Sequence, residues 1–276
     1  MTYASLLVTL EDGEDSDRRL DLACDLAGAF GAHLIGFRSS SIGMPLTDSL
    51  MDGAMTGELL SLYRDMAETE VQKGRARFEA LVKAKGLDGE WRGRVGYPSD
   101  LCCQTARAAD LLILPSHSPS APHHAPEPVG VLMGCGRPVL ITPSNRSSPP
   151  FGAPALVAWR DSREARRALI AALPLLQRAA GVTVYAVCDP DRTEEVEAEL
   201  VDVCTYLARH DIIARPEVAL KGDTSIGRQI LREALALEVG LIVAGGYGHA
   251  RLREWALGGV TRDLIETSSI CLCLSH

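Results

Sequence analysis

Apolar residues along this chain fall into short unbroken runs alternating with stretches of helical spacing, and the same succession occurs twice. Residues 5–38 predict a strand at Leu6, Leu7 and Val8, then an acidic loop at Glu11-Asp12-Gly13. A helix follows through Leu20, Leu22, Ala23, Leu26 and Ala27, and a second strand from His33 to Phe37. Residues 155–188 repeat the pattern: strand Ala155 to Trp159, loop Arg160-Asp161-Ser162, helix to about Ala179, strand Val182 to Val187. The later parts also match. Gly96-Tyr97-Pro98-Ser99 and Gly222-Asp223-Thr224-Ser225 each open a helix, leading to strands Leu111 to Leu114 and Leu241 to Ala244. Each copy closes on a short apolar strand, Pro138 to Thr142 and Ile270 to Leu274. Self-similarity with a period of about 150 residues marks an internal duplication.

Strands of this length, rich in Val, Leu and Ile and without polar alternation, suit sheets buried on both faces, and their alternation with helices requires parallel crossovers. The expected fold is therefore α/β, two tandem doubly wound parallel sheets of about five strands with flanking helices. The first domain covers 1–144 and the second 153–276. Pro143-Ser-Asn-Arg-Ser-Ser-Pro-Pro-Phe-Gly152 is the linker by composition. Asp161 with Glu164 reads as a capping box, and Ala165, Ala168, Leu169, Ala172, Leu173 and Leu176 as one buried helix stripe. Pro174 should kink or shorten that helix. Thr224 and Ser225 are N-cap candidates for the helix carrying Ile230, Leu231 and Ala234.

With 276 residues, 46% of them hydrophobic, the chain can bury two cores. The net charge of −8 argues against nucleic acid and anionic membrane as partners, because both are recognised through concentrated Lys and Arg. Eight scattered cysteines without a Cys-x-x-Cys pair read as free thiols in a reducing cytoplasm. No apolar stretch is long enough for a membrane span, and no signal peptide is read at Met1 to Leu10.

Ligands of doubly wound sheets sit beyond the carboxyl ends of strands where the strand order reverses. The loops after the first and fourth strands of each copy are thus the places to look. After Leu241-Ile-Val-Ala244 come Gly245-Gly-Tyr-Gly248, nine residues, and then Gly258-Gly259-Val260-Thr261, opening a helix through Leu264. Glycines there admit a phosphate close to the backbone, and the N–H groups and dipole of the following helix favour its charge. A tight strand-to-helix connection would use the same glycines.

The spacing Gly-x2-Gly-x9-Gly resembles the ATP-binding signature of the universal stress protein family, and GGYGHARLREWALGGVTRDL (245–264) is similar to that stretch in its tandem bacterial members. The resemblance runs over the whole chain, twice, with the motif in the second copy. It implies an adenine nucleotide alpha hydrolase-like, Rossmann-like fold and a cytoplasmic stress-response protein. Its C-terminal domain would hold ATP, ADP or AMP, with or without Mg, as a regulatory ligand with little or no turnover. In that frame Gly245 and Gly248 lie along the ribose and phosphates, and Gly258, Gly259 and Val260 cap the phosphates. The family pattern has Ser or Thr where Gly259 stands, with Thr261 two residues on. It has an adenine-reading Asp where Arg160 stands, with Asp161 one residue late. These departures imply altered base recognition, weaker binding or a different nucleotide, with Arg160 an alternative phosphate contact.

The first copy has five prolines and no glycine in the corresponding loop, 115–128; proline has no N–H to donate, so this copy is expected not to form the same cradle and not to bind. Its Glu11 or Asp12 is then a relic or a solvated helix N-terminus. His117, His123 and His124 on that loop have no ligand-spaced Cys or carboxylate nearby, and Cys271 and Cys273, with His276, read as strand thiols, so no structural metal is expected. The chain lacks Gly-x4-Gly-Lys-Ser/Thr, Gly-x-Ser-x-Gly and His-Glu-x-x-His. The competing readings are a nucleotide-free scaffold for dimerisation or partner binding and a slow ATPase with His249 as its one candidate acid or base. Tyr247 and Trp255 are candidates to flank a ligand. The family resemblance also implies that Pro138 to Thr142 pairs with Ile270 to Leu274, making the chain a pseudo-dimer, with a homodimer of chains left open.

Overall fold

The computed structural model describes residues 2–41, 53–116, 125–144, 149–247 and 259–276. They form two compact units, Tyr3–Cys135 and Gly136–His276.

The first unit runs β1 (Ser5–Thr9), α1 (Glu14–Phe30), β2 (His33–Ser40), α2 (Gly53–Lys73), α3 (Arg75–Ala84), β3 (Gly89–Val95), α4 (Pro98–Thr105), β4 (Leu111–Pro115) and α5 (Pro128–Gly134). Its strands are parallel in the order β3-β2-β1-β4. Leu6, Leu7, Val8 and Leu111 to Leu114 are completely buried, as strands covered on both faces must be. The next strand, β5 (Val139–Thr142), belongs to the second unit.

The second unit continues with β6 (Ala155–Ala158), α6 (Arg163–Leu176), β7 (Val182–Cys188), α7 (Thr193–Ala208), β8 (Ala214–Leu220), α8 (Ile226–Ala236), β9 (Leu241–Gly245), α9 (Gly259–Thr267) and β10 (Cys271–Ser275). The strand order is β5-β10-β9-β6-β7-β8, parallel throughout except for β5. β5 runs antiparallel to β10, with Ile141 opposite Leu272, Leu140 opposite Cys273 and Val139 opposite Leu274. The expected pairing of the two closing strands is thus present, and it draws the last strand of the first repeat into the sheet of the second. For that reason the compact units divide at Cys135, ahead of the linker.

The alternating strand and helix pattern, the parallel sheets and the duplication are all present. Apolar runs do not mark the third strand of each repeat, β3 or β8. Both lie at the ends of the strand order, are half-exposed, and carry charged residues; β8 also contains Pro216. Edge strands tolerate both features, because one face of their hydrogen-bonding ladder meets no neighbour.

Helix α6 shows how sequence becomes packing. The stripe Ala165, Ala168, Leu169, Ala172, Leu173 and Leu176 is buried. Its cap differs from the expected one: Ser162, not Asp161, is the N-cap, accepting a hydrogen bond from Ala165 N at 3.2 Å. Ser162 has the extended backbone a cap requires, and its short hydroxyl reaches the first turn. Pro174 lies inside the helix, which stops two residues later at Leu176. Ser225 caps α8, accepting from Arg228 N at 3.3 Å. None of the eight cysteines is in a disulfide, and Cys273, fully buried in β10, has its thiol pushed up to about 12 by burial. Among the described residues, no helix is long and apolar enough to cross a membrane, and no cluster of three His, Cys, Asp or Glu could hold a metal ion.

Candidate functional site

In the second unit β6 and β9 are neighbours, and the chain leaves them in different directions, to β7 on one side and to β10 on the other. This is the strand-order reversal at which such sheets bind ligands. Four segments meet there: the end of β6 with Trp159, Arg160 and Asp161, the first turn of α6, the end of β9, and the start of α9.

Gly245 ends β9 against the first turn of α6. A side-chain carbon added to it would lie 2.6 Å from Ala165 N, 2.9 Å from Glu164 C and 3.0 Å from Glu164 Cβ. This glycine is therefore required by packing between β9 and α6. Gly246 N donates to Ser275 O at 2.8 Å, and His276 Nδ1 lies 3.1 Å from Gly246 O. Tyr247 then turns the chain with a left-handed φ of 55°, and its N–H donates to Thr261 Oγ1 at 3.4 Å. Thr261 is buried in the first turn of α9, so its hydroxyl fastens the exit of β9 to that helix.

Gly259 opens α9 and is exposed, and a carbon added there would meet nothing within 4 Å. Among the described residues nothing gives a steric reason for a glycine at 259, in contrast to 245. Gly259, Val260 and Thr261 lie in the first helical turn, whose N–H groups have no partner within the helix. Gly248 and Gly258, together with His249 and Trp255, lie outside the described residues.

Arg160 and Asp161 are both exposed, just beyond β6. Asp161 pairs with Arg166, while Arg160 forms no ion pair among the described residues. Glu164 was not singled out as a site residue, yet its carboxylate is buried at this crossing and is paired with Arg163. Burial raises its pKa, but the hydrogen bonds from Arg163 and from its own backbone N–H outweigh that, holding the carboxyl below the usual range. It stays charged at the end of the sheet, near the positive end of α6.

A groove of about 410 Å³ opens between α6 and α7 beside the end of β6, lined by Trp159, Asp161, Leu169, Glu199, Val203 and Tyr206, among others. No periodicity announces it, because its residues come from two helices and a strand end.

The corresponding places in the first unit are filled by the protein itself. Leu10 N donates to Phe37 O and Trp159 N donates to Tyr185 O, so Asp12 holds the register position of Asp161 and Arg38 that of Ala186. Arg38 is 4% exposed. Its Nη1 and Nη2 reach the two carboxylate oxygens of Asp12 at 2.8 and 3.0 Å, and Nη2 also reaches Glu70 at 3.0 Å. The hydrogen bond from Arg38 holds the Asp12 carboxyl below its ordinary range. Glu127 caps α5, accepting from Val129 N at 2.9 Å and from Gly130 N. A carboxylate of the chain thus covers the amides of the helix that corresponds to α9. His117, His123 and His124 lie outside the described residues.

No protein-family model matches this chain. No curated protein matches it either. Solved structures do. A universal stress protein from Archaeoglobus fulgidus DSM 4304 aligns over 98% of this chain and 97% of its own, with a TM-score of 0.76 and 16% sequence identity. A functionally unknown protein from Pseudomonas aeruginosa PAO1 aligns over 99% of this chain and 92% of its own, with a TM-score of 0.61 and 16% identity. At that identity the likeness is one of fold.

Proposed function

We propose, on the fold shared with a universal stress protein, that the second unit binds an adenine nucleotide as a regulatory ligand, with its phosphates on the first turn of α9. The observation that supports this most directly is the contrast between the two glycines. Gly245 is accounted for by packing, whereas a carbon added to Gly259 would meet none of the described residues within 4 Å and the adjacent amides have no partner within α9. Gly248 and Gly258 extend the same cradle in sequence, Val260 and Thr261 add amides, and Asp161 and Arg160 stand at the end of β6 within the same crevice. Asp161 is the acid available for the base, and Arg160 a cation available to a phosphate. A magnesium ion would arrive with the phosphates, since no metal-binding cluster occurs among the described residues. The first repeat, 1–144, is read as non-binding, because Arg38 neutralises Asp12 and Glu127 occupies the amides of α5.

Isothermal titration with ATP, ADP and AMP tests the proposal. One nucleotide per chain is expected. Gly259→Asp places a carboxylate at the start of α9, as Glu127 does at the start of α5, and it should abolish binding without lowering the melting temperature. Gly259→Ser, which adds a hydroxyl beside the phosphates, should tighten binding several-fold. If wild type binds none of the three, or Gly259→Asp binds as wild type does, the nucleotide reading fails and the scaffold reading takes its place.

A further inference from the structure

The groove between α6 and α7 does not suit a phosphate. Its floor is Trp159, Leu169, Val203 and Tyr206, and its walls carry Asp161, Glu199 and Asp202 against the single lining cation Arg166. Arg166 is already engaged by Asp161. Arg192 reaches Glu199 from outside the lining at 3.7 Å, and Asp202 has no ion-pair partner among the described residues. The groove is therefore apolar beneath and net negative at its rim.

Two further observations point to a missing occupant. Trp159 is 9% exposed, lines the groove, and has no hydrogen-bond partner for its indole Nε1 within bonding distance among the described residues. Its indole N–H acts on Glu199 as a weak hydrogen bond that lowers that pKa, but burial and Asp161 outweigh it, so the Glu199 carboxyl lies above its usual range. The other observation comes from the first repeat, where the aspartate at the same register position is bridged by the guanidinium of Arg38 to a carboxylate on the following helix, Glu70. In the second repeat Ala186 holds the register position of Arg38, while Asp161 and two carboxylates of α7, Glu199 and Asp202, line the groove.

We propose that the groove between α6 and α7 binds a small organic cation, an ammonium or guanidinium group on an apolar body, which takes the place that Arg38 fills in the first repeat. The charged group lies between Asp161 and the α7 carboxylates Glu199 and Asp202. The apolar body packs on Leu169, Val203 and the rings of Trp159 and Tyr206, whose faces attract a cation. An oxygen on the ligand would receive the Trp159 N–H. The volume is in the range of small-molecule sites. This inference goes beyond the nucleotide proposal and does not depend on it.

Tyramine and its neutral counterpart tyrosol, in which a hydroxyl replaces the ammonium, serve as probes by isothermal titration against the full chain. Tyramine should bind saturably, and tyrosol at least tenfold more weakly. The double variant Glu199→Gln with Asp202→Asn should weaken tyramine at least tenfold while melting no lower than wild type. A third variant, Ala186→Arg, should abolish tyramine binding by supplying the cation internally. Equal affinity for the two probes, wild-type affinity in the carboxamide variant, or no saturable tyramine binding would overturn the proposal. Nucleotide titrations in parallel keep the two readings apart, since a chain that ignores ATP but binds tyramine removes only the first.

Discussion

A methyl group at Gly245 would be pressed against the backbone of α6, 2.6 Å from Ala165 N, and backbone in a helix cannot yield as a flexible side chain does. Gly245→Ala is therefore expected to destabilise the second unit by about 1–3 kcal/mol, the range for overpacking, as read by chemical denaturation. A loss below about 0.5 kcal/mol would remove the packing account of this residue. Glu199 tests electrostatics at the same scale. Burial, and then Asp161, raise its pKa above the ordinary 4.5, against the opposing pull of Arg192 and Trp159 and with a further push from Glu195. The folded protein thus holds this proton more tightly than the unfolded chain does, so ionised Glu199 disfavours folding at neutral pH. Glu199→Gln should stabilise at pH 7 by about 0.2–1 kcal/mol, as for other interactions of partly exposed charges. The gain should shrink as pH falls through the raised pKa and level off below 4.5, where the carboxyl is protonated in both states. Melting curves from pH 4 to 8 check this, and a gain that grows toward acid would contradict it.

Among the elements, β5 shows most clearly how chain order and spatial order part. It lies in the first sequence repeat but pairs with β10, and all four of its residues are buried. Removing it would leave the ladder edge of β10 exposed, and such edges recruit other strands. A fragment starting at residue 153 should therefore melt lower and self-associate more readily than one starting at 136, measured by thermal denaturation and light scattering. Equal behaviour of the two fragments would show that the β5 to β10 pairing contributes little. The apolar runs of β1, β4, β6, β9 and β10 are legible in sequence because both faces of a central strand demand apolar side chains. The edge strands β3 and β8 escape notice because that demand lapses at a sheet's end. The cap of α6 was legible to within one residue. Asp161 and Ser162 are both good caps, and only the backbone geometry selects between them.

At the scale of the whole molecule, duplication, fold class and the reversal of strand order between β6 and β9 follow from the sequence, because all three rest on periodicities that local physics imposes on buried strands and helices. The glycine pattern 245–261 was likewise visible as a pattern. What the glycines do was not, since Gly245 serves packing and Gly259 meets no such neighbour among the described residues, and only neighbours distant in sequence distinguish the two. The five prolines in the loop of the first copy, which have no N–H to donate, are visible in the sequence. That copy's substitutes were not readable: Arg38 meets Asp12 from 26 residues away and Glu70 from 32, an arrangement created by tertiary packing. The groove between α6 and α7 is of the same kind, drawing Trp159, Leu169, Glu199 and Tyr206 from a strand end and two helices that are adjacent only once folded. Sequence alone determined the elements and their repetition, because these depend on spacing along the chain. The tertiary structure decided which charges are satisfied within the chain and which face a space where a ligand could sit, because electrostatic pairing and cavities depend on distance across it.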